Sequence, residues 1–301
     1  MNDLAQKLLQ AINPTEAVEN FYKRVLSGEK KKLGATTGFD FLDGRTNGLE
    51  KQTFWVIGGA SGVGKTSLVS QMVLNASKEE RTIYFLFESN KIKLLTRLIS
   101  QQTNIPTSKI EKQDLTESEK DKVLEVAEKL SKRIIIIDDG AFNSTKNIRI
   151  ALETISNANI SFGIVVIDYL QLLRNEGKNE YDTLRTVTSD CQTLSKDFNT
   201  NLIGISSLSN EQIGIDKINY AKFKGSGDIT YSADVALLIQ RDKNNEKDKT
   251  IIQMVIAKNR YGEDFGATLL HFIPQTQSVI EFGEKTKEIQ QQNFDVNNFI
   301  G

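Results

Sequence analysis

Gly59-Ala60-Ser61-Gly62-Val63-Gly64-Lys65-Thr66-Ser67 carries the residue types and spacing needed to hold a chain of phosphates. From Gly59 to Thr66 it fits the pattern G-x-x-x-x-G-K-[ST]. Glycines let successive backbone N–H groups curl around the α- and β-phosphates. Lys65 supplies a point charge to the β- and γ-phosphates, and the Thr66 hydroxyl suits a Mg²⁺ ion. The apolar run Phe54–Ile57 precedes the loop, and Leu68, Val69 and Met72 follow at helical spacing. The loop therefore joins a strand to a helix whose positive end faces the same anion. String and context together imply a nucleoside triphosphate site.

Hydrolysis at such a site needs two acids, one to orient the metal and one to activate water. Three strand candidates end in acids: Ile164–Asp168, Ile134–Asp138 followed by Asp139, and Ile83–Glu88. Asp168 and Asp138 compete for the metal, since both close buried β-branched runs. Glu88 suits a base if its strand lies beside the loop strand, where it would face the γ-phosphate. For all three, capping a helix or turn is the plainer role. Spacing leaves the three unranked.

Elements that could position these residues alternate along the chain. Further strand candidates are Phe54–Ile57, Leu202–Ser206, Val235–Gln240, Ile251–Ala257 and Thr268–Phe272. Helical stretches at Lys65–Ser77, Lys91–Gln102, Thr116–Lys132, Thr145–Ala158 and Tyr181–Asn199 lie between the first five strands. This alternation predicts an α/β fold with a mostly parallel central sheet flanked by helices. The last three strands follow one another without helices and predict a mixed or antiparallel carboxyl-terminal edge. Residues 1–32 read as a helical arm, with Ala17, Phe21 and Val25 on one side of its second helix. Residues 33–283 read as the domain that carries the nucleotide site, and the Gln/Asn-rich residues 284–301 read as a flexible tail.

Composition narrows the partners. Lys plus Arg (38) balance Asp plus Glu (39), so nucleic-acid binding would have to be local, in loops lining a channel. The single cysteine, Cys191, excludes an internal disulfide framework, and with one histidine, His271, there is no zinc-type cluster. No apolar run approaches the ~20 residues of a membrane span, and residues 1–30 do not read as a signal peptide. The expectation is a cytoplasmic protein.

Taken together, these residues resemble the ATPase core of DnaB-type replicative helicases, a branch of the RecA-like P-loop proteins. The likeness runs from about Gly34 to Phe282. It covers Thr37-Gly38-Phe39-Asp40-Phe41-Leu42-Asp43, Asn47-Gly48-Leu49, Phe85-Leu86-Phe87-Glu88-Ser89 with Leu94 and Arg97, and Ile167-Asp168-Tyr169-Leu170-Gln171-Leu172. The resemblance implies the metal role for Asp168 and the base role for Glu88, and leaves Asp138 and Asp139 without required chemistry. Ala257-Lys258-Asn259-Arg260-Tyr261-Gly262 is similar to the family's K-x-R-x-G, which implies that Lys258 and Arg260 reach the γ-phosphate held by an adjacent subunit. One departure is Ser207, which stands where the family usually carries a glutamine that senses the γ-phosphate.

The resemblance also implies ATP and Mg²⁺ as ligands, a homo-oligomeric ring of hexamer type, and single-stranded DNA gripped by its central loops. Movement 5′→3′ and unwinding at replication forks are implied with it. Candidate DNA contacts are Arg174, Lys178, Lys217, Lys222 and Lys224. Primase and a helicase loader are further partners of such rings, although only an arm resembling a linker helix precedes this core. Two rival readings are a RecA-like recombination or regulatory ATPase and an assembly partner of a helicase, both without unwinding activity.

Overall fold

A computed structural model describes residues 18–19, 22–23, 25–27, 34–175, 179–207, 232–241, 250–262 and 266–282. The chain divides into two compact units, Met1–Leu33 and Gly34–Gly301. In the first, residues 18–19, 22–23 and 25–26 are helical, and Val18, Tyr22, Val25 and Leu26 are exposed. Ala17 and Phe21 of the expected stripe, and the tail 284–301, lie outside the described residues.

Among the described residues the second unit opens with a small ladder of β1 (Gly34–Ala35) and β2 (Leu49–Glu50) and is built on a separate sheet of nine strands. In chain order these are β3 (Phe54–Gly59), β4 (Thr82–Leu86), β5 (Ile134–Ile137), β6 (Ile164–Asp168), β7 (Asn201–Ser207), β8 (Val235–Arg241), β9 (Ile251–Asn259), β10 (Gly266–Ile273) and β11 (Ser278–Glu281). Across the sheet the order is β11-β10-β9-β8-β3-β7-β6-β4-β5. Every neighbouring pair from β5 to β8 is parallel, and β9, β10 and β11 continue antiparallel. The carboxyl-terminal edge is mixed, as the sequence predicts: β8 runs parallel to β3, β9 and β10 are antiparallel, and the unforeseen β11 extends the antiparallel part.

Alternation along the strands builds two cores. On one face, Trp55, Ile57, Tyr84, Val166 and Ile203 pack with Leu68 and Met72 of α2 (Lys65–Ala76) and Leu94 and Leu98 of α3 (Lys91–Thr103). On the other, Phe54, Val56, Phe85, Val165 and Leu202 meet α6 (Thr145–Asn157) and α7 (Glu180–Asp197) through Ile148, Leu152, Val187 and Cys191. Strands buried on both faces read as continuous apolar runs for this reason. Among the described residues of this unit the remaining α-helices are the short α1 (Asp40–Thr46) and α4 (Thr107–Glu111) and the 15-residue α5 (Glu117–Ser131).

Helix starts separate structural ends from the loop helix. Asn90, Thr116, Ser144 and Asn179 cap α3, α5, α6 and α7 with their side chains. Helix α2 begins at Gly64, which has no side chain to offer, and no side chain among the described residues caps it. Its first-turn N–H groups are thus left for an anion.

Candidate nucleotide site

The phosphate loop is shaped by two glycines in particular. A Cβ on Gly59 would come within 2.5 Å of the Ile239 carbonyl oxygen, so the loop strand can lie this close to β8 only without a side chain. Gly64 has φ of 103°, where a side chain would be strained, and it turns the chain directly into α2. Lys65 Nζ donates to the carbonyls of Gly59 (2.9 Å) and Ala60 (2.8 Å), which holds the ammonium against the loop. Burial lowers its pKa, while Glu88 and then Asp168 oppose the shift. Arg241, at the end of β8, donates from Nη2 to the Gly62 carbonyl at 3.0 Å.

Asp168 closes β6, one strand removed from β3, and is 1% exposed. Its Oδ2 accepts from the hydroxyl of Tyr84, on β4, at 3.1 Å. Its Oδ1 is buried and has no hydrogen-bond partner among the described residues. Burial pushes the carboxyl up to about 6; the Tyr84 and Thr66 hydroxyls pull it down, Glu88 pushes it up further, and Arg97 opposes. A buried carboxylate oxygen without a donor is costly. A divalent cation beside the Thr66 hydroxyl would satisfy it, and the donors are the hard oxygens Mg²⁺ prefers. Among the described residues no three His, Cys, Asp or Glu side chains cluster as a self-sufficient metal cage.

Glu88 requires a correction. Strand β4 ends at Leu86, so Glu88 lies two residues beyond it and is exposed. Nor is β4 beside the loop strand, because β7 and β6 intervene. The two crossover strands inserted between them are invisible to spacing. Glu88 nevertheless lines the same cleft of about 500 Å³ as Ser61, Lys65, Thr66 and Asp168. The competing strand end resolves differently: Asp138 Oδ2 accepts from the Lys91 N–H at 2.9 Å, and Asp139 caps the short turn at Gly140–Phe142. Both serve as caps, and β5 is the edge strand farthest from the loop on its side.

Phe272 and Gln277 enter the cleft without a sequence signal that singles them out for it. Phe272 lies 3.9 Å from where a Gly64 side chain would begin. Gln277, at the β10–β11 turn, accepts from Arg97 Nε through its Oε1, and its carbonyl accepts from Gln101, which also holds the Ser67 carbonyl. The antiparallel edge thus folds back onto the phosphate loop. Ser207, at the end of β7, also lines the cleft, and its main chain is gripped on both sides by Gln171 (2.9 and 3.2 Å).

Arg260 and Lys258 lie elsewhere. Lys258 pairs with Ala236 in the β9–β8 ladder, and Asn259 pairs with Val235, level with Trp55 at the start of β3. The phosphate loop leaves the opposite end of β3. The strand Phe54–Gly59 separates the two ends by about 17 Å at the usual rise per residue. Arg260 therefore cannot meet a phosphate chain held by its own loop. Of the candidate DNA contacts, Arg174 is exposed, and its N–H donates to the Asn143 carbonyl at 2.7 Å. Lys178, Lys217, Lys222 and Lys224 lie outside the described residues.

A glycine loop running from an inner strand of a parallel sheet into an uncapped helix, with a buried acid at a nearby strand tip, defines a P-loop nucleotide-binding protein of RecA-like α/β fold. The family of the DnaB-like helicase C terminal domain matches residues 34–281, and the chain belongs to that family. It is 29% identical over 242 residues to a probable replicative DNA helicase of Trieres chinensis, covering 76% of this chain and 53% of that protein. A DnaB-like replicative helicase, solved in a study of its interactions with primase, superposes with a TM-score of 0.77 at 25% identity, over 89% of this chain and 66% of that one. A separately solved ATPase domain shares the fold, with a TM-score of 0.79 at 24% identity, over 89% of this chain and 98% of that one. The chain spans about half the length of the curated relatives it matches. Among the described residues no helix is long and apolar enough to cross a membrane.

Proposed function

We propose that this chain is the ATP-hydrolysing motor of a ring-forming DNA helicase of DnaB type, moving 5′→3′ on single-stranded DNA in the cytoplasm. The observation that carries the reading is the meeting of Lys65, Thr66, Asp168 and Glu88 in one cleft, within a chain of the DnaB-like helicase family. Residues Gly59–Ser67 would wrap the phosphates, and Thr66 and Asp168 would hold Mg²⁺. When bound, that ion would supply positive charge to offset the charge of the transferring phosphoryl group. Glu88, exposed at the mouth, takes the proton of the attacking water.

Arg260 and Lys258 complete the site of an adjacent copy. Their place at the far end of β3 supports this, since cations that cannot reach their own nucleotide can act only on another. A cation brought in from a neighbour at a phosphoryl transfer is worth orders of magnitude in rate. A head-to-tail contact of this kind closes into a ring when its rotation permits, here a hexamer. The arm of residues 1–32 packs on the neighbouring subunit, the loops bearing Arg174, Lys178, Lys217, Lys222 and Lys224 face DNA, and primase and a loader are partners of the ring. Ser207, with a short side chain at the cleft wall, favours a second reading: a regulatory ATPase without unwinding. ATP turnover with and without single-stranded DNA, run beside a forked-duplex assay, separates them. DNA-stimulated turnover with unwinding is expected; stimulated turnover alone selects the second reading, and no stimulation overturns both.

A further inference from the structure

The Arg260 side chain is not a loose surface cation. Its Nη1 donates to Asp234 Oδ1 at 2.7 Å, and the Asp234 side chain is 1% exposed while that of Arg260 is 40% exposed. Main-chain bonds fix the same two residues, since the Arg260 N–H donates to the Asp234 carbonyl at 2.8 Å. The segment is braced further along. The Tyr261 hydroxyl donates to Asp234 Oδ1 at 3.4 Å, and Asn259 Nδ2 donates to the Arg45 carbonyl at 3.0 Å. Gly262 packs so tightly that a Cβ would strike the Arg45 carbonyl oxygen at 2.5 Å.

Asp234 has a second attachment. Its Oδ2 accepts from the N–H of Phe54 at 2.9 Å, and its own N–H donates to the Phe54 carbonyl at 2.8 Å. Phe54 is the first residue of β3, the strand that ends in the phosphate loop. One buried carboxylate thereby ties the arginine to the root of the loop strand. A guanidinium has five N–H donors, so one bond to Asp234 leaves others for an incoming anion. A side chain held by one edge and exposed at the other arrives already aimed, which lowers the ordering cost of reaching a partner's phosphate.

We infer that Asp234 is the positioning residue for Arg260: it holds the guanidinium in the pose that serves the nucleotide of an adjacent copy. This rests on the reading of Arg260 as a cation acting between subunits. The variant Asp234→Asn keeps an acceptor for the Phe54 N–H and removes the charge that holds Arg260. It is expected to bind nucleotide with unchanged affinity while kcat falls at least tenfold at unchanged KM for ATP.

Mixed oligomers provide the decisive readout. Lys65→Ala protomers have a defective loop and an intact arginine; Asp234→Asn protomers have the reverse. In a random equimolar mixture about one interface in four combines a working loop with a held arginine, so about a quarter of the unmodified activity returns. Arg260→Ala mixed with Lys65→Ala is run beside it and is expected to recover equally. If that control recovers and the Asp234→Asn mixture does not, Asp234 acts through its own loop strand and the inference is overturned while the reading of Arg260 survives. If neither recovers, the reading of Arg260 fails and the inference with it. Unmodified turnover in Asp234→Asn alone also overturns it. Should that variant melt early, Asp234→Glu, which displaces the charge by one methylene, is taken through the same mixtures with the same outcomes.

Discussion

The two ends of β3 make an instructive pair. At its carboxyl end the chain offers donors and a positive helix end to an anion: backbone N–H groups, the Lys65 ammonium, and α2 uncapped by any described side chain. At its amino end a buried carboxylate, Asp234, binds the Phe54 N–H and leans Arg260 outward. The first end has what is needed to receive a phosphate chain, and the second what is needed to press on one. About 17 Å of strand keeps them apart in one copy. Head-to-tail stacking would bring the second end of one copy to the first end of the next. On the proposed reading, half of the catalytic chemistry would be displaced from the pocket that contains the fuel.

This contrast breaks most visibly at Lys65. Lys65→Ala removes the ammonium from the loop, and turnover is expected to fall by a factor of roughly 10³ or more, with nucleotide affinity falling too. Arg260→Ala should cost turnover by a comparable or somewhat smaller factor, on the order of 10²–10³, with nucleotide affinity unchanged. Equilibrium binding of a fluorescent ATP analogue, measured beside steady-state turnover, separates the two. Equal loss of affinity in both would erase the distinction between the ends.

A smaller effect sharpens the receiving end. Asp168 has its pKa raised from 3.8 to about 6, mainly by burial. Between those values the folded protein binds more protons than the unfolded chain, so stability is lost as pH rises through about 6. In chelator, the melting temperature of the unmodified protein should decline between about pH 4 and about pH 6.5 and level off above it. Asp168→Asn, with no charge to bury, should lack that part of the decline and melt roughly 2–4 °C higher at the upper end of that range. It should also hydrolyse no ATP, a trade of stability against function. Identical pH profiles for the two proteins would contradict the burial account.

Legibility follows how local each feature is. The phosphate loop is contiguous, and its glycines and lysine state their chemistry without tertiary help. Asp168 and Asp138 both end β-branched runs, so pattern alone cannot part them. Sheet order does, with β6 near the loop strand and β5 at the edge. Strand direction is likewise absent from composition, which is why pattern predicts a mixed or antiparallel edge without saying that β8 is its parallel member. Helix α1, Asp-Phe-Leu-Asp-Gly-Arg-Thr, contains weak helix formers and gives no helical signal of its own. It is held by a distant partner and by the preceding turn: Glu281 accepts from the Asp40 and Phe41 N–H groups, and Asp43 accepts from Thr36, Thr37 and Gly38. Asp234 lies 180 residues from Phe54. No spacing rule links them, and only the folded sheet shows that they meet. Family likeness puts Glu88 in the cleft, whereas its neighbourhood to the loop strand, argued from pattern, does not hold.

The most direct test of a site divided between copies is turnover per protomer as the protein is diluted through its assembly range, with nucleotide binding followed in the same samples. Binding should persist at every concentration, while turnover per protomer should fall to background once sedimentation shows single chains. Turnover that stays constant from assembled to isolated protomers would contradict the account, because it would mean that one copy carries a complete site.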